Sequence, residues 1–164
     1  VNYHADAMSL GLELEVVLES LSVKSRDNAR TPMHWDDSEH AGFTTGTPWL
    51  PATANKDEIN AAAGVADPDS VFHHFRKLIE LRHENPVVVE GRFDLLLPDH
   101  DQVWAFTRTL GDDALLVLAN CSSETVTVAQ DDVQDVAGAK VLLATHDDTD
   151  ELDLQPWESR IYAL

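Results

Sequence analysis

The sequence has a single cysteine, little lysine and no long apolar run. Cys121 is the only cysteine among 164 residues, so no disulfide can form within the chain, and we expect a reducing, cytoplasmic setting. Cys121 lies between Asn120 and Ser122 with no base-bearing motif beside it, which is typical of a small, semi-buried residue rather than a nucleophile. No stretch approaches the roughly 18 apolar residues that would span a bilayer, so we expect no membrane partner.

The scarcity of lysine accompanies a large excess of acidic side chains. Thirty acidic residues against eleven basic ones give a formal charge of −19, which repels phosphate backbones and predicts that nucleic acid is not a partner. No Asp-x-Asp-x-Asp loop with a closing Glu occurs, so we expect no metal site and no cofactor. The acids cluster in doublets at expected turns, which is typical of a solvated surface: Asp36-Asp37, Asp112-Asp113, Asp131-Asp132 and Asp147-Asp148.

The same charge excess permits two interpretations of the environment. A protein from a high-salt cytoplasm would carry such a surface, because the screening length falls to about 3 Å at 1 M salt and self-repulsion is then suppressed. An ordinary acidic cytosolic protein is the alternative interpretation.

Residues 25–36, which we call the arginine loop, follow neither a helical nor a strand period. This segment holds Arg26, Asp27, Arg30, His34 and Trp35 within twelve residues. Guanidinium and amide donors beside an indole suit recognition of a polyhydroxylated ligand, with the aromatic face against the C–H side of a ring. The alternative is that Asp27 and Arg30 form a local salt bridge that pins a surface loop.

The apolar pattern predicts helices in the first half of the chain. Residues 7–21 fit both a helical stripe and a strand alternation, and we favour a helix because of their length and strong helix formers. Residues 22–66 predict a long, ordered loop. Residues 68–83 predict a helix that Asp67 caps, with Pro68 at its first position and Asn85-Pro86 after its end. Its histidines do not predict a metal site, because the adjacent His73 and His74 point about 100° apart.

From residue 87 onward the apolar period changes to two. Short strands separated by turn residues predict an antiparallel β-sandwich. In this sandwich Trp104 and Trp157 are expected to pack in the core or against another domain rather than to bind sugar. The predicted strands cover residues 87–89, 93–97, 103–109, 115–120, 125–129, 141–144 and 159–164.

The arginine loop resembles the segment S-R-D-N-A-R-T-P-M-Q-W-D of α-glucosidases in glycoside hydrolase family 13, in the branch of oligo-1,6-glucosidases and trehalose hydrolases. The resemblance covers nearly the whole chain from about Val23 to the C-terminus, in the order that the family has. It continues through A-G-F-T-T-G-T-P-W-L, I-N, D-S-V-F-H-H-F-R-K-L-I-E-L-R and P-W-E-S-R-I-Y, at residues 41–50, 59–60, 69–82 and 156–162.

The resemblance implies a mixed fold in two parts. Residues 1–85 would be the C-terminal end of a (β/α)₈ catalytic barrel, with the arginine loop as a substrate loop and the last barrel helix over residues 68–83. Residues 86–164 would be the antiparallel β-sandwich domain. The family's catalytic carboxylates lie on earlier barrel strands, in motifs near G-F-R-x-D and N-H-D, which are absent here. We therefore expect the C-terminal part of a glucosidase, with the missing barrel portion as its partner and no catalytic residue of its own.

The resemblance also implies roles for the loop residues. Family members release terminal α-linked glucose from α-glucoside oligosaccharides with retention. Arg26 would bind the 4-hydroxyl of the terminal glucose and Arg30 would lie at the mouth of the same pocket. Asp27 would orient one or both of the guanidinium groups. His34 would be a supporting residue in place of the family's glutamine, and its imidazole would make the site sensitive to pH. A second departure is Thr53-Ala54-Asn55-Lys56 in place of N-P-N-Y.

Two other functions compete with this one. The chain could be a stand-alone β-sandwich that binds α-glucan without catalysis, or an inactive remnant. A binding module would need exposed aromatic side chains on the sandwich and would have no use for an arginine loop. That argument favours the glucosidase hypothesis.

Overall fold

The computed structural model describes residues 3–147 and 152–164. These residues fall into two compact units that divide after Ser70. The first unit opens with two helices, α1 (Tyr3–Ser9) and α2 (Leu14–Lys24). The single helix expected over residues 7–21 is therefore wrong. Gly11 has a φ of 80°, a left-handed conformation that ends α1, and the chain restarts as a helix only at Leu14.

Short helices also interrupt the long loop predicted over residues 22–66. Two 3₁₀ turns, Arg26–Ala29 and Ala54–Asp57, lie within it, and helix α3 (Ala61–Ala66) ends it. Asn60 caps α3, because its side-chain oxygen accepts a hydrogen bond from the Ala63 amide at 2.8 Å. The Asn60 cap and the helix-favouring alanines after it offset the helix-destabilising effect of Gly64.

Helices α4 (Val71–Glu84) and α5 (Pro86–Glu90) begin the second unit. Helix α4 was expected to start at Pro68, but Asp67 instead closes a turn by accepting from the Asp69 amide at 3.0 Å. The end of α4 before Asn85-Pro86 is confirmed. The strand expected at residues 87–89 is wrong, because Asn85 caps α5 by accepting from the Val87 amide at 3.0 Å.

The rest of the second unit consists of two antiparallel sheets, with five strands in the order β1-β2-β3-β7-β5 and two strands in the order β4-β6. Most predicted strands are confirmed, but residues 125–129 contribute only a two-residue strand, and β6 was not predicted. The strands are β1 (Arg92–Leu95), β2 (Val103–Leu110), β3 (Asp113–Asn120), β4 (Val126–Thr127), β5 (Lys140–Ala144), β6 (Asp153–Leu154) and β7 (Ser159–Ala163).

An apolar core drawn from both sheets confirms the antiparallel β-sandwich. Its buried members are Val103, Ala105, Leu116, Leu118, Val126, Val128, Leu154 and Tyr162. Strand β2 alternates as expected, so Trp104, Phe106 and Arg108 project from the opposite face. On that face the ring centroid of Phe106 lies 5.0 Å from that of Phe93 and 5.1 Å from that of Trp104. Trp104 and Trp157 are both exposed rather than in the core, and Cys121 is exposed rather than semi-buried.

A buried ion pair joins strand β7 to its surroundings. The Arg160 Nε donates to Glu158 Oε1 at 2.5 Å, and Arg160 Nη2 donates to the Asp153 carbonyl at 2.7 Å. The Gln155 amide donates to the other carboxylate oxygen of Glu158 at 2.7 Å. Burial opposes ionisation of Glu158, but hydrogen bonds from Arg160 and Gln155 outweigh it and lower the pKa of this carboxyl. The pair therefore stays charged inside the sandwich.

Candidate functional site

The arginine loop begins with a capped 3₁₀ turn. The Ser25 side-chain oxygen accepts a hydrogen bond from the Asp27 amide at 3.2 Å, and the turn Arg26–Ala29 follows. The Arg30 amide then donates to the Asp27 carbonyl at 3.1 Å, which closes the turn. Arg26 is thereby fixed at the first position of the turn with an exposed side chain.

The structure brings Asp27 and Arg30 together but leaves Arg26 outside this pair. Arg30 Nη1 lies 3.8 Å from Asp27 Oδ1, and both side chains are about half exposed. An ion pair this exposed contributes about 0–1 kcal/mol to the free energy of unfolding. Its main effect is therefore to orient the Arg30 guanidinium. Among the residues whose placement is described, Arg26 forms no ion pair. The local salt bridge thus pairs the charges of Arg30 and Asp27, and the Arg26 guanidinium is left to interact with a ligand.

His34 lies against residues far along the chain. Its Nδ1 is 2.9 Å from the Ile59 carbonyl oxygen, and its Nε2 is 3.1 Å from the Thr53 hydroxyl. A carbonyl oxygen only accepts hydrogen bonds, so Nδ1 carries a proton and donates to Ile59. The Thr53 hydroxyl also lies 2.6 Å from Asn55 Oδ1. His34 therefore supports the loop from its C-terminal side and is held by both of its ring nitrogens.

Backbone hydrogen bonds join the same two segments. The Ala61 amide donates to the His34 carbonyl at 2.9 Å, and the Ala62 amide donates to the Trp35 carbonyl at 3.0 Å. These are the first amides of α3, which have no partner within the helix. The end of the arginine loop therefore serves as the cap of α3. Sequence reasoning missed Thr53, Ile59 and α3 as supports of the loop, although the capping residue Asn60 was a signal for the helix.

A tight turn follows the arginine loop. The Trp35 amide donates to the Ala41 carbonyl at 2.8 Å, and the Asp36 carboxylate accepts from the Ser38 amide at 2.9 Å and the Ser38 hydroxyl at 2.5 Å. The Ser38 hydroxyl and amide hydrogen bonds lower the pKa of Asp36. Gly42 has a φ of 64°, and a Cβ there would lie 2.7 Å from Asp36 Oδ2. The turn therefore requires glycine at this position.

We expect Gly42→Ala to destabilise the first unit by about 1–3 kcal/mol, because it adds backbone strain and displaces the Asp36 carboxylate. The matched control is Gly46→Ala, since an added Cβ at Gly46 would meet only the Thr44 hydroxyl at 3.9 Å. Urea denaturation of the 164-residue chain, followed by tryptophan fluorescence, measures both. Equal midpoints for the two variants would contradict the role given to Gly42.

Metal-binding groups and membrane-spanning helices were both sought in the part of the chain that the structure describes. Within residues 3–147 and 152–164 no group of three or more His, Cys, Asp or Glu side chains is placed to hold a metal ion. In the same part of the chain no helix is long and apolar enough to cross a membrane.

Comparison with known proteins identifies the family. The family model for the α-amylase catalytic domain matches residues 4–91, which is more than half of the chain. A model for the C-terminal domain of the α-amylase SusG matches residues 103–161. The chain belongs to the α-amylase family of glycoside hydrolases, family 13.

Individual relatives place the chain in one branch of that family. It is 44% identical over 160 residues to the oligo-1,6-glucosidase of Parageobacillus thermoglucosidasius, covering 94% of this chain and 28% of that enzyme. It is 39% identical over 168 residues to the oligo-1,6-glucosidase of Bacillus cereus, covering 99% of this chain and 30% of that enzyme. The crystal structure of Bacillus licheniformis trehalose-6-phosphate hydrolase superposes with a TM-score of 0.87 and 37% identity, over 99% of this chain and 30% of that one. The chain spans less than a third of each relative's length.

These matches confirm the expected fold class. The chain corresponds to the C-terminal region of these enzymes, with the substrate-loop region and last helix of the barrel followed by the antiparallel β-sandwich. The family-model matches end at residue 91 and resume at residue 103, whereas the compact units divide after Ser70. The predicted domain boundary between residues 85 and 86 stays a prediction.

Proposed function

We propose that this chain supplies the glucose-binding arginine loop of an α-glucosidase that releases terminal α-linked glucose with retention. The observation that carries the proposal is the exposed Arg26 side chain, whose backbone lies in a capped turn and which the neighbouring Asp27 does not neutralise. Support also comes from the relatives, which are oligo-1,6-glucosidases and a trehalose-6-phosphate hydrolase. The substrate class is an α-glucoside oligosaccharide.

Arg26 acts by binding the 4-hydroxyl of the terminal glucose. Its planar, permanently charged fork presents several donors in a rigid arrangement, which suits a hydroxyl of fixed orientation better than a flexible ammonium does. A sugar that is itself substituted through that hydroxyl would not fit beside the guanidinium. The enzyme would therefore act only at chain ends.

Arg30 and Asp27 complete the mouth of the pocket. The ion pair between them, at 3.8 Å, is too long to be a hydrogen bond, so the donors of the Arg30 guanidinium are not used up by Asp27. Asp27 is thus a supporting carboxylate, and its partner can still donate to a sugar hydroxyl. His34 supports the same loop from its C-terminal side through contacts with Ile59 and Thr53.

The chemical steps belong to the barrel portion that acts with this chain. A retaining glycosidase uses two carboxyl groups about 5–5.5 Å apart, one as nucleophile and one as acid and base. No residue of this chain is assigned either role. The chain contributes substrate binding, and the partner barrel contributes bond cleavage.

A second candidate function rests on the outer face of the sandwich. Phe93, Phe106 and Trp104 form a row there with neighbouring ring centroids about 5 Å apart, and Trp104 is about half exposed. Such a row could bind α-glucan without catalysis. In that case Trp104→Ala would abolish retention of the 164-residue chain on immobilised α-glucan, and Arg26→Lys would not alter it.

The experiment that tests the proposal is a hybrid enzyme in which this chain replaces the matching segment of the Bacillus cereus oligo-1,6-glucosidase. We expect the 164-residue chain alone to show no turnover of p-nitrophenyl α-glucoside, because it lacks the carboxylate pair. The hybrid should be active, and the Bacillus cereus enzyme truncated before the segment should not. Activity of the isolated chain, or a folded hybrid without activity, would contradict the proposal.

A further inference from the structure

We propose that the contacts of His34 with Thr53 and Ile59 lock residues 53–62 onto the end of the arginine loop, so that His34 is a positioning residue for the loop. The segments are nineteen or more residues apart in sequence, and the ring of His34 is the side chain that joins them twice. The consequence for sugar binding rests on the proposed function of the loop. The coupling between the two segments does not depend on that proposed function.

The first step of the argument is the number of connections. Two side-chain contacts of His34, to Ile59 and Thr53, lie beside two backbone bonds from Ala61 and Ala62 to residues 34 and 35. Each hydrogen bond contributes only about 0.5–1.5 kcal/mol, but the four act on one short stretch of backbone. Residues 34–35 therefore move together with α3.

The second step concerns hydrogen-bond direction. Because Nδ1 donates to Ile59, the neutral ring has only Nε2 left as an acceptor, and the Thr53 hydroxyl is then its donor. As placed, the Thr53 hydroxyl donates to Asn55 Oδ1 at 2.6 Å. Exchanging the two ends of the asparagine amide, which occupy equivalent positions, makes the Asn55 nitrogen the donor to Thr53 and leaves the hydroxyl proton for His34 Nε2. The contact thus requires one donor and one acceptor at position 34 and a hydroxyl at position 53.

The test is amide hydrogen exchange, read by NMR on the 164-residue chain. The Ala61 and Ala62 amides report the lock, and the Arg30 amide, which donates to the Asp27 carbonyl, reports the loop. We expect His34→Ala to speed exchange at all three amides by roughly tenfold, since two bonds of about 0.7 kcal/mol are lost. His34→Gln should exchange at these amides within about twofold of the rate in the parent chain. Exposed His83, mutated to Ala, serves as the control and should change none of them.

Thr53→Val makes the test independent of any unfolding caused by His34→Ala. We expect it to speed exchange at Ala61 and Ala62 in the wild-type chain and to add little in the His34→Ala chain, because the partner is already gone. The proposal would be overturned if the effects of Thr53→Val and His34→Ala on exchange were additive. It would also be overturned if His34→Gln exchanged as fast as His34→Ala, or if His34→Ala left exchange at Arg30 unchanged. These outcomes do not depend on whether the hybrid enzyme is active, so the two proposals fail separately.

Discussion

Arg26→Lys should lower kcat/KM of the hybrid enzyme on p-nitrophenyl α-glucoside on the order of 10²-fold. Arg26 is exposed at the start of the turn and forms no ion pair with the part of the chain that the structure describes, so its donors are free for a ligand. An ammonium cannot reproduce the planar fork, and loss of one charged hydrogen bond in a desolvated pocket costs a few kcal/mol. Steady-state kinetics of the two hybrids measures this difference directly.

The matched control is Arg76→Lys. Arg76 lies on α4 in an exposed pair with Glu80 at 3.5 Å, where either cation would serve. We expect this variant to retain the kinetics of the parent hybrid. Equal kinetics for the Arg26→Lys hybrid and its parent, on maltose as well as isomaltose, would remove Arg26 from the glucose pocket.

Arg160→Met should destabilise the β-sandwich by about 3–5 kcal/mol. This change leaves the Glu158 carboxylate buried without its partner, and an uncompensated buried charge is far more costly than the loss of an exposed pair. Urea denaturation followed by circular dichroism measures the change. Glu80→Gln, which breaks the exposed pair with Arg76, is the control and should cost less than about 1 kcal/mol. Similar midpoints for the two variants would show that the buried pair is not a main support of the sandwich.

The same pair predicts a dependence of stability on pH. The pKa of Glu158 is lower in the folded chain than in the unfolded one, where a glutamate titrates near 4.3. Its contribution to stability is therefore fully present above the unfolded value and is lost as the pH falls through the folded value. We expect the free energy of unfolding to fall more steeply on the acid side in the parent chain than in Glu158→Gln. Parallel acid limbs would contradict this assignment.

The helices and strands could be predicted because the spacing of apolar residues along the chain reveals their period. The alternation of Val103, Ala105 and Thr107 with Trp104 and Phe106 predicted β2, and the structure confirms the strand. It did not identify the buried face, since Trp104 was expected to pack in the core or against another domain and lies exposed. Helix α5 was misread as a strand because Val87, Val88 and Val89 are β-branched. The cap at Asn85 and the proline after it determined the outcome instead.

The contacts of the candidate site could not be predicted in the same way. His34 contacts Thr53 and Ile59, and no local pattern connects residues that are 19 and 25 positions apart. The Glu158–Arg160 pair has the spacing of one strand face, but its two charges read as exposed residues until the surrounding sandwich is known. The sequence predicted which residues of the loop bind a ligand, and that stays a prediction. The contacts that hold those residues were visible only in the folded chain.

The most direct test of the account is a double-mutant cycle between Arg26 and the sugar hydroxyl that it is proposed to bind. The measurement is kcat/KM of the parent and Arg26→Lys hybrids on p-nitrophenyl α-glucoside and on its 4-deoxy analogue. If Arg26 binds the 4-hydroxyl, removing the hydroxyl and replacing the arginine remove one interaction, so their effects fall well short of adding. Losses that multiply across the cycle would place Arg26 away from that hydroxyl and contradict the central claim.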